Sequence, residues 1–138
     1  MPIKPLPPPN ARVTDPDTGL MTQDWYDFFR ELARKSVTAL TYGTTINTNT
    51  ATGDNFSITA TNGTAFTIAA PTNPVAGQTI TYTIRNASGG ALGAITWNAV
   101  FKMPAFTLPA NGFSRSVSFI YNGTNWVQRF QSAADVPN

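Results

Sequence analysis

The residue types that carry most enzymatic chemistry are missing from this chain, which contains no histidine and no cysteine. Without them the Ser-His-Asp and Cys-His arrangements cannot be assembled. A zinc site of the usual imidazole and thiolate kind cannot be assembled either. Disulfides are excluded, and cysteine usage gives no clue to the redox compartment. Glycoside hydrolysis normally needs two carboxylates flanking one bond. Beyond residue 40 the acidic side chains are Asp54, in a connector, and Asp135, in the C-terminal tail. Asp15 and Asp17 lie close together, but two carboxylates without the remaining loop ligands do not make an EF-hand. No Gly-x-Gly-x-x-Gly or P-loop pattern occurs, and Ser88-Gly89-Gly90 reads as a loop. The expectation is no catalytic residue, no metal ligand and no cofactor.

Sugar binding by stacking is a different chemistry, and Trp97 and Trp126 are its candidates. Each falls in phase with core-facing neighbours, where a large aromatic is ordinary. A carbohydrate-binding module is therefore the rival from another functional class. The Asn-x-Ser/Thr triplets at Asn55, Asn62, Asn86 and Asn122 would accept glycans only in a secretory pathway. Prolines occupy the place of an apolar leader segment, so no secretory leader is expected.

The elements that position these residues follow from pattern. A chain of 138 residues suits one compact domain plus an arm. Charged residues make up 12%, about half the usual share, and aromatics another 12%, which argues against disorder. Beyond residue 40 the cations are Arg85, Lys102, Arg115 and Arg129, scattered too widely for a phosphate-neutralising stripe. No run of 18 apolar residues exists to cross a membrane. Nucleic-acid and membrane partners are not expected.

Residues 1–20 form a Pro-rich extended arm, since Pro2, Pro5, Pro7, Pro8 and Pro9 fix φ and restrict the residues before them. Asp15-Pro16-Asp17-Thr18-Gly19 has the residue order of a turn. Residues 21–40 read as an amphipathic helix begun by Thr22, with acidic residues early and basic ones late, matching the helix dipole. Trp25, Phe28, Phe29 and Leu32 share one apolar face. Residues 41–54 are a Thr/Asn-rich connector with room for one edge strand.

From Asn55 the apolar period becomes two. Phe56, Ile58 and Ala60, then Phe66 and Ile68, alternate with polar residues around Asn62-Gly63, the signature of a hairpin. Ile80, Tyr82 and Ile84 mark the clearest strand. Val117, Phe119 and Tyr121 run to Asn122-Gly123 and return through Trp126. No fixed-length repeat is visible. The expected fold is mainly β (α+β): an extended arm and one helix, then an antiparallel β-sandwich of jelly-roll type over residues 55–138.

Two stretches carry a resemblance. Leu6-Pro7-Pro8-Pro9-Asn10-Ala11-Arg12-Val13, Asp15 to Thr22, and Trp25-Tyr26-Asp27-Phe28-Phe29 resemble the start of many small structural proteins of tailed bacteriophages. There an arm, a D-x-x-T-G turn and an aromatic helix precede a β-domain. Phe119 to Trp126 is similar to the final hairpin of phage fibre and decoration modules. The resemblance covers about 30 residues and implies no catalytic residue. It implies a non-enzymatic virion protein, assembled in the bacterial host cytoplasm, that docks on other virion proteins and displays its β-domain outward. Capsid cement or decoration is the leading subtype, and a trimeric head, neck or tail fibre component the other. Its partners would be major capsid or neck and tail proteins and further copies of itself, as a dimer or trimer. Leu6, Pro7, Pro8, Arg12, Trp25, Phe28, Phe29 and Leu32 would carry the docking.

Overall fold

The computed structural model describes residues 12–32 and 36–138. The expected turn closes a small antiparallel bend in which Thr14 bridges Met21. Asp15 Oδ1 accepts the N–H groups of Asp17 and Thr18, at 2.8 and 3.1 Å. Gly19 takes the φ of 68° that suits it for this position. Helix α1 (Gln23–Leu32) follows. The Thr22 carbonyl accepts its first bond, from the Tyr26 N–H, and the Thr22 hydroxyl donates back to the Arg12 carbonyl at 2.7 Å. Bend and helix are thereby joined into one unit.

The helix is shorter than its amphipathic period suggested. Residues that the period carried to position 40 include a strand, β1 (Val37–Ala39), which pairs in parallel with β3 (Asn55–Ala60). Val37 and Thr38 are β-branched and favour the extended state beside an available strand edge. The connector contributes β2 (Thr45–Ile46), so the β-domain starts before residue 55.

The remaining strands are β4 (Phe66–Ile68), β5 (Thr79–Asn86), β6 (Ile95–Trp97), β7 (Phe101–Lys102), β8 (Phe113–Tyr121), β9 (Trp126–Gln131) and β10 (Val136–Pro137). One sheet has the order β1-β3-β5-β8-β9-β7, with β10 added to β8, and the other the order β2-β4-β6. Among the described residues the mainly β composition with one helix is as expected. The antiparallel jelly-roll arrangement is not what the pairings describe. From β1 to β6 successive strands alternate between the two sheets and stack in parallel on the strand two places earlier. Only the end of the chain turns antiparallel, with β8 on β5 and β9 on β8.

Asn62-Gly63 is therefore a corner and not a hairpin, because β3 and β4 lie in different sheets. Gly63 lacks the positive φ that a type I′ turn requires. The Asn62 side chain accepts from the Thr64 N–H at 2.9 Å and from the Tyr42 hydroxyl at 3.0 Å, which turns the chain by side-chain bonding. Asn122-Gly123 does close a hairpin, between β8 and β9, with Gly123 at φ 97°. Phe106–Leu108 forms no strand; Phe106 packs edge-on against Trp97.

The core lies between the sheets. Phe56, Ile58, Ile80, Tyr82, Ile84, Val117 and Phe119 face Ile46, Phe66 and Ile68, all buried. Buried polar groups pin the corners. Tyr82 donates its hydroxyl to Thr48 Oγ1 at 2.9 Å, Gln78 Nε2 donates to the Thr50 carbonyl, and Asn86 Nδ2 donates to the carbonyls of Gly90 and Pro109.

Two outcomes are expected. A Cβ on Gly93 would lie 2.4 Å from the Ala65 nitrogen and 2.5 Å from the Gly63 oxygen, both backbone. Gly93→Ala should cost about 1–3 kcal/mol or more in urea unfolding, whereas Gly90→Ala, with open space around it, should stay within about 0.5 kcal/mol of the parent. The second concerns the Asp135 carboxylate. The hydrogen bond from Arg115 Nε at 2.6 Å, with help from the Ala110 N–H, holds it below the usual carboxylate range. Its contribution is thus complete above that range and is lost as pH falls through the lowered value. Urea midpoints measured from pH 7 downward should stay level and then drop in acid, and Asp135→Asn should flatten the acid-side slope.

Candidate functional site

The N-terminal unit stands apart from the domain core. Among the described residues, the core and the side chains packed on it run from Leu40 to Trp126, and none belongs to α1. Within α1 the aromatic residues pack on one another. Trp25 stacks on Phe29 at 5.6 Å and meets Phe28 edge-on at 6.0 Å, and Phe28 meets Phe29 at 5.6 Å. The expected face therefore exists as a ring cluster. An isolated helix of ten residues is marginal in water, so this cluster is the main local device holding α1 together.

Much of the unit's apolar surface is still open. Nine large hydrophobic side chains are exposed among the described residues, and five of them fall between residues 13 and 29: Val13, Leu20, Met21, Tyr26 and Phe29. That concentration marks a surface, since single exposed apolar residues are normal but clustered ones are not. Arg12 is exposed at its edge. Leu6, Pro7 and Pro8, and the side chain of Leu32, lie outside the described residues. Val13 closes the stretch from Leu6 that sequence reasoning assigned to docking, whereas Leu20, Met21 and Tyr26 were not singled out. Their signal was weak: apolar residues flanking a turn have no period to read.

The stacking candidates fare differently. Trp126 is 1% exposed and lies against Tyr121 at 4.9 Å, so it offers no ring face to a ligand. Trp97 is partly buried and surrounded by Tyr82, Phe101, Phe106 and Phe119 at 5.2–5.8 Å. Both belong to the core packing. Burial pushes the Tyr82 phenol above its ordinary range, opposed by the bond to Thr48, which locks it as a neutral hydroxyl.

Two shallow grooves of about 380 and 340 Å³ flank Tyr42 between β1 and β2, lined by Leu40, Thr45 and Asn47 on one side and Thr61, Asn62 and Thr64 on the other. Tyr42 spends its hydroxyl on Asn62 and the Thr64 carbonyl. No carboxylate or amine lines either groove. No cluster of three potential metal ligands occurs among the described residues, and none of the described helices is long and apolar enough to cross a membrane.

One further surface was hidden from sequence reasoning. Simple alternation puts Trp126, Gln128 and Phe130 on one face. Trp126 is inside, yet Phe130 is 58% exposed. The reason is a β-bulge. Ser118 pairs with Phe130 while the next residue, Phe119, pairs with Gln128, so β9 carries one extra residue, Arg129. The bulge turns Phe130 to the outer side beside Val127 and Ile120.

No family model, curated protein or solved structure matches this chain significantly.

An expected outcome tests the separation of unit and core. Phe28→Asp should leave the unfolding free energy of the β-domain, from urea titration, within about 0.5 kcal/mol of the parent, because α1 adds nothing to that core. A loss of several kcal/mol would place the face against the domain.

Proposed function

We propose that this chain is a non-enzymatic structural protein of a tailed-bacteriophage virion. It docks through its N-terminal arm and helix and displays its β-domain on the particle exterior, as a capsid cement or decoration protein. The observation that carries this reading is the division just described. A short unit with an open apolar surface precedes a domain whose core it does not enter. A unit of that kind gains its order by packing on a partner. Trp25, Phe28 and Phe29 are of the residue types enriched at interface hot spots. The resemblance of residues 6–29 to the starts of phage structural proteins supplies the kind of partner.

A second reading, a trimeric head, neck or tail fibre component, draws on a different observation. The parallel stacking of β1-β3-β5 and β2-β4-β6 is read more finely as a short β-solenoid capped by an antiparallel hairpin. In such a stack each coil touches only its neighbours, which suits an extended appendage. A sugar-binding module is not favoured, because Trp97 and Trp126 are taken up by the core.

Immunogold electron microscopy of the source phage with antibody to this chain separates these readings. Gold over the head is the expected result. Gold confined to neck or tail would select the fibre reading, and gold on no particle would sink the virion proposal. Phe28→Asp should abolish particle binding in a co-sedimentation assay, and unchanged binding would leave this face without a docking role.

A further inference from the structure

Three buried side-chain atoms have no hydrogen-bond partner among the described residues: Trp97 Nε1, Gln128 Oε1 and Gln131 Oε1. Such atoms are rare in folded chains, because a buried N–H or carbonyl without a partner has given up its bonds to water and gained none in return. The fold brings the three to one place. Gln128 pairs with Phe119 and Gln131 with Val117, and both of these β8 residues are fully buried. Residues opposite each other in a ladder share a face, so both glutamines point into the core. Trp97 reaches the same region from the smaller sheet, its ring 5.6 Å from Phe119 and 5.7 Å from Phe106. Gln131 lies against the residue before Phe106, donating from Nε2 to the Ala105 carbonyl at 3.4 Å. All three side chains therefore border the space between β6, β9 and the segment that carries Phe106.

The bulge creates this arrangement. In a regular strand residues 128 and 131 face opposite sides. The extra residue, Arg129, turns Gln131 inward at the same step that turns Phe130 out. The Ala105 bond also decides which end of the Gln131 amide is left over. Its NH₂ group meets a carbonyl, so Oε1 is the end without a partner.

We propose that this space is a binding site for one ordered water, which accepts from Trp97 Nε1 and donates to Gln128 Oε1 and Gln131 Oε1. The donor set decides the ligand. An indole N–H repels a cation, and two amide carbonyls repel an anion. A neutral molecule offering one lone pair and two hydrogens satisfies all three atoms, and three bonds is the usual number for a buried water. The water joins β6 to β9, which belong to different sheets. It gives the bulge a role inside the core, since without Arg129 the second carbonyl would face solvent. The inference concerns the core alone and stands whatever the particle is.

NMR on the full chain labelled with ¹⁵N tests it. Loss of one indole resonance in Trp97→Phe assigns that group. In the parent, the Trp97 indole proton should show a direct cross-peak to water with the sign of a long-lived bound molecule. Gln128→Met and Gln131→Met each remove one acceptor at similar side-chain length. Each should shift the Trp97 indole proton and reduce or abolish the cross-peak, with the other two indole resonances left in place. A crystal structure should show one solvent peak within about 2.7–3.2 Å of all three atoms. A parent without the cross-peak would overturn the inference. So would a cross-peak unchanged in both methionine variants, or a crystal structure in which the Trp97 N–H bonds directly to either glutamine. Should the variants fail to fold, the parent cross-peak and the crystal structure decide by themselves.

Discussion

A parallel strand pair cannot be closed by a tight turn, and most of this molecule answers to that constraint. After each strand the chain must leave the sheet, cross to another layer and come back. Here it returns through the three-stranded sheet, so each crossing turns corners whose backbone groups need partners. The Thr- and Asn-rich composition supplies them. Thr50 donates to the carbonyls of Thr72 and Asn73, Asn49 accepts from the Asn73 amide, and Asn86 holds two carbonyls at the far corner. Tyr82 then ties the layers together. It lies among Phe56, Trp97, Phe101 and Phe119 with its hydroxyl on Thr48. A buried hydroxyl left without that partner costs about 1–3 kcal/mol, so the bond favours one packing of the two layers.

The sequence showed strands more clearly than it showed their partners. Alternation at Phe56–Ala60 and Ile80–Ile84 marked the buried side chains correctly, because period two is a property of a single strand. Pairing is a property of two, and nothing in either run tells a neighbour joined by a corner from one joined by a hairpin. Asn62-Gly63 and Asn122-Gly123 look alike as dipeptides, yet only the second has its glycine at positive φ. The parallel pairing was hidden for a related reason. Val37 pairs with Asn55 and Asn55 with Thr81, so the steps between paired strands differ in length and no fixed spacing survives.

The candidate surfaces were legible to differing degrees. Trp25, Phe28 and Phe29 were readable as one face, since helical spacing alone brings them together. The end of α1 was not, because Val37–Ala39 prefers a strand only once β3 is there to receive it. Phe130 was least accessible of all. Its exposure depends on Arg129 being an extra residue in β9, and a bulge has no signal in a single strand's pattern.

The edges of the sheets explain why faces matter here. A long unpaired edge invites another chain to add a strand. The terminal strands are short: β1 and β6 have three residues, and β2 and β7 have two. Lys102 places a charge on β7 as well. So few free backbone groups in a row make a poor template for strand addition. Any association would then come from side chains, and the outer hydroxyls of β5 and β8 are already bonded to each other. What remains is the apolar surface of the N-terminal unit and the corner opened by the bulge.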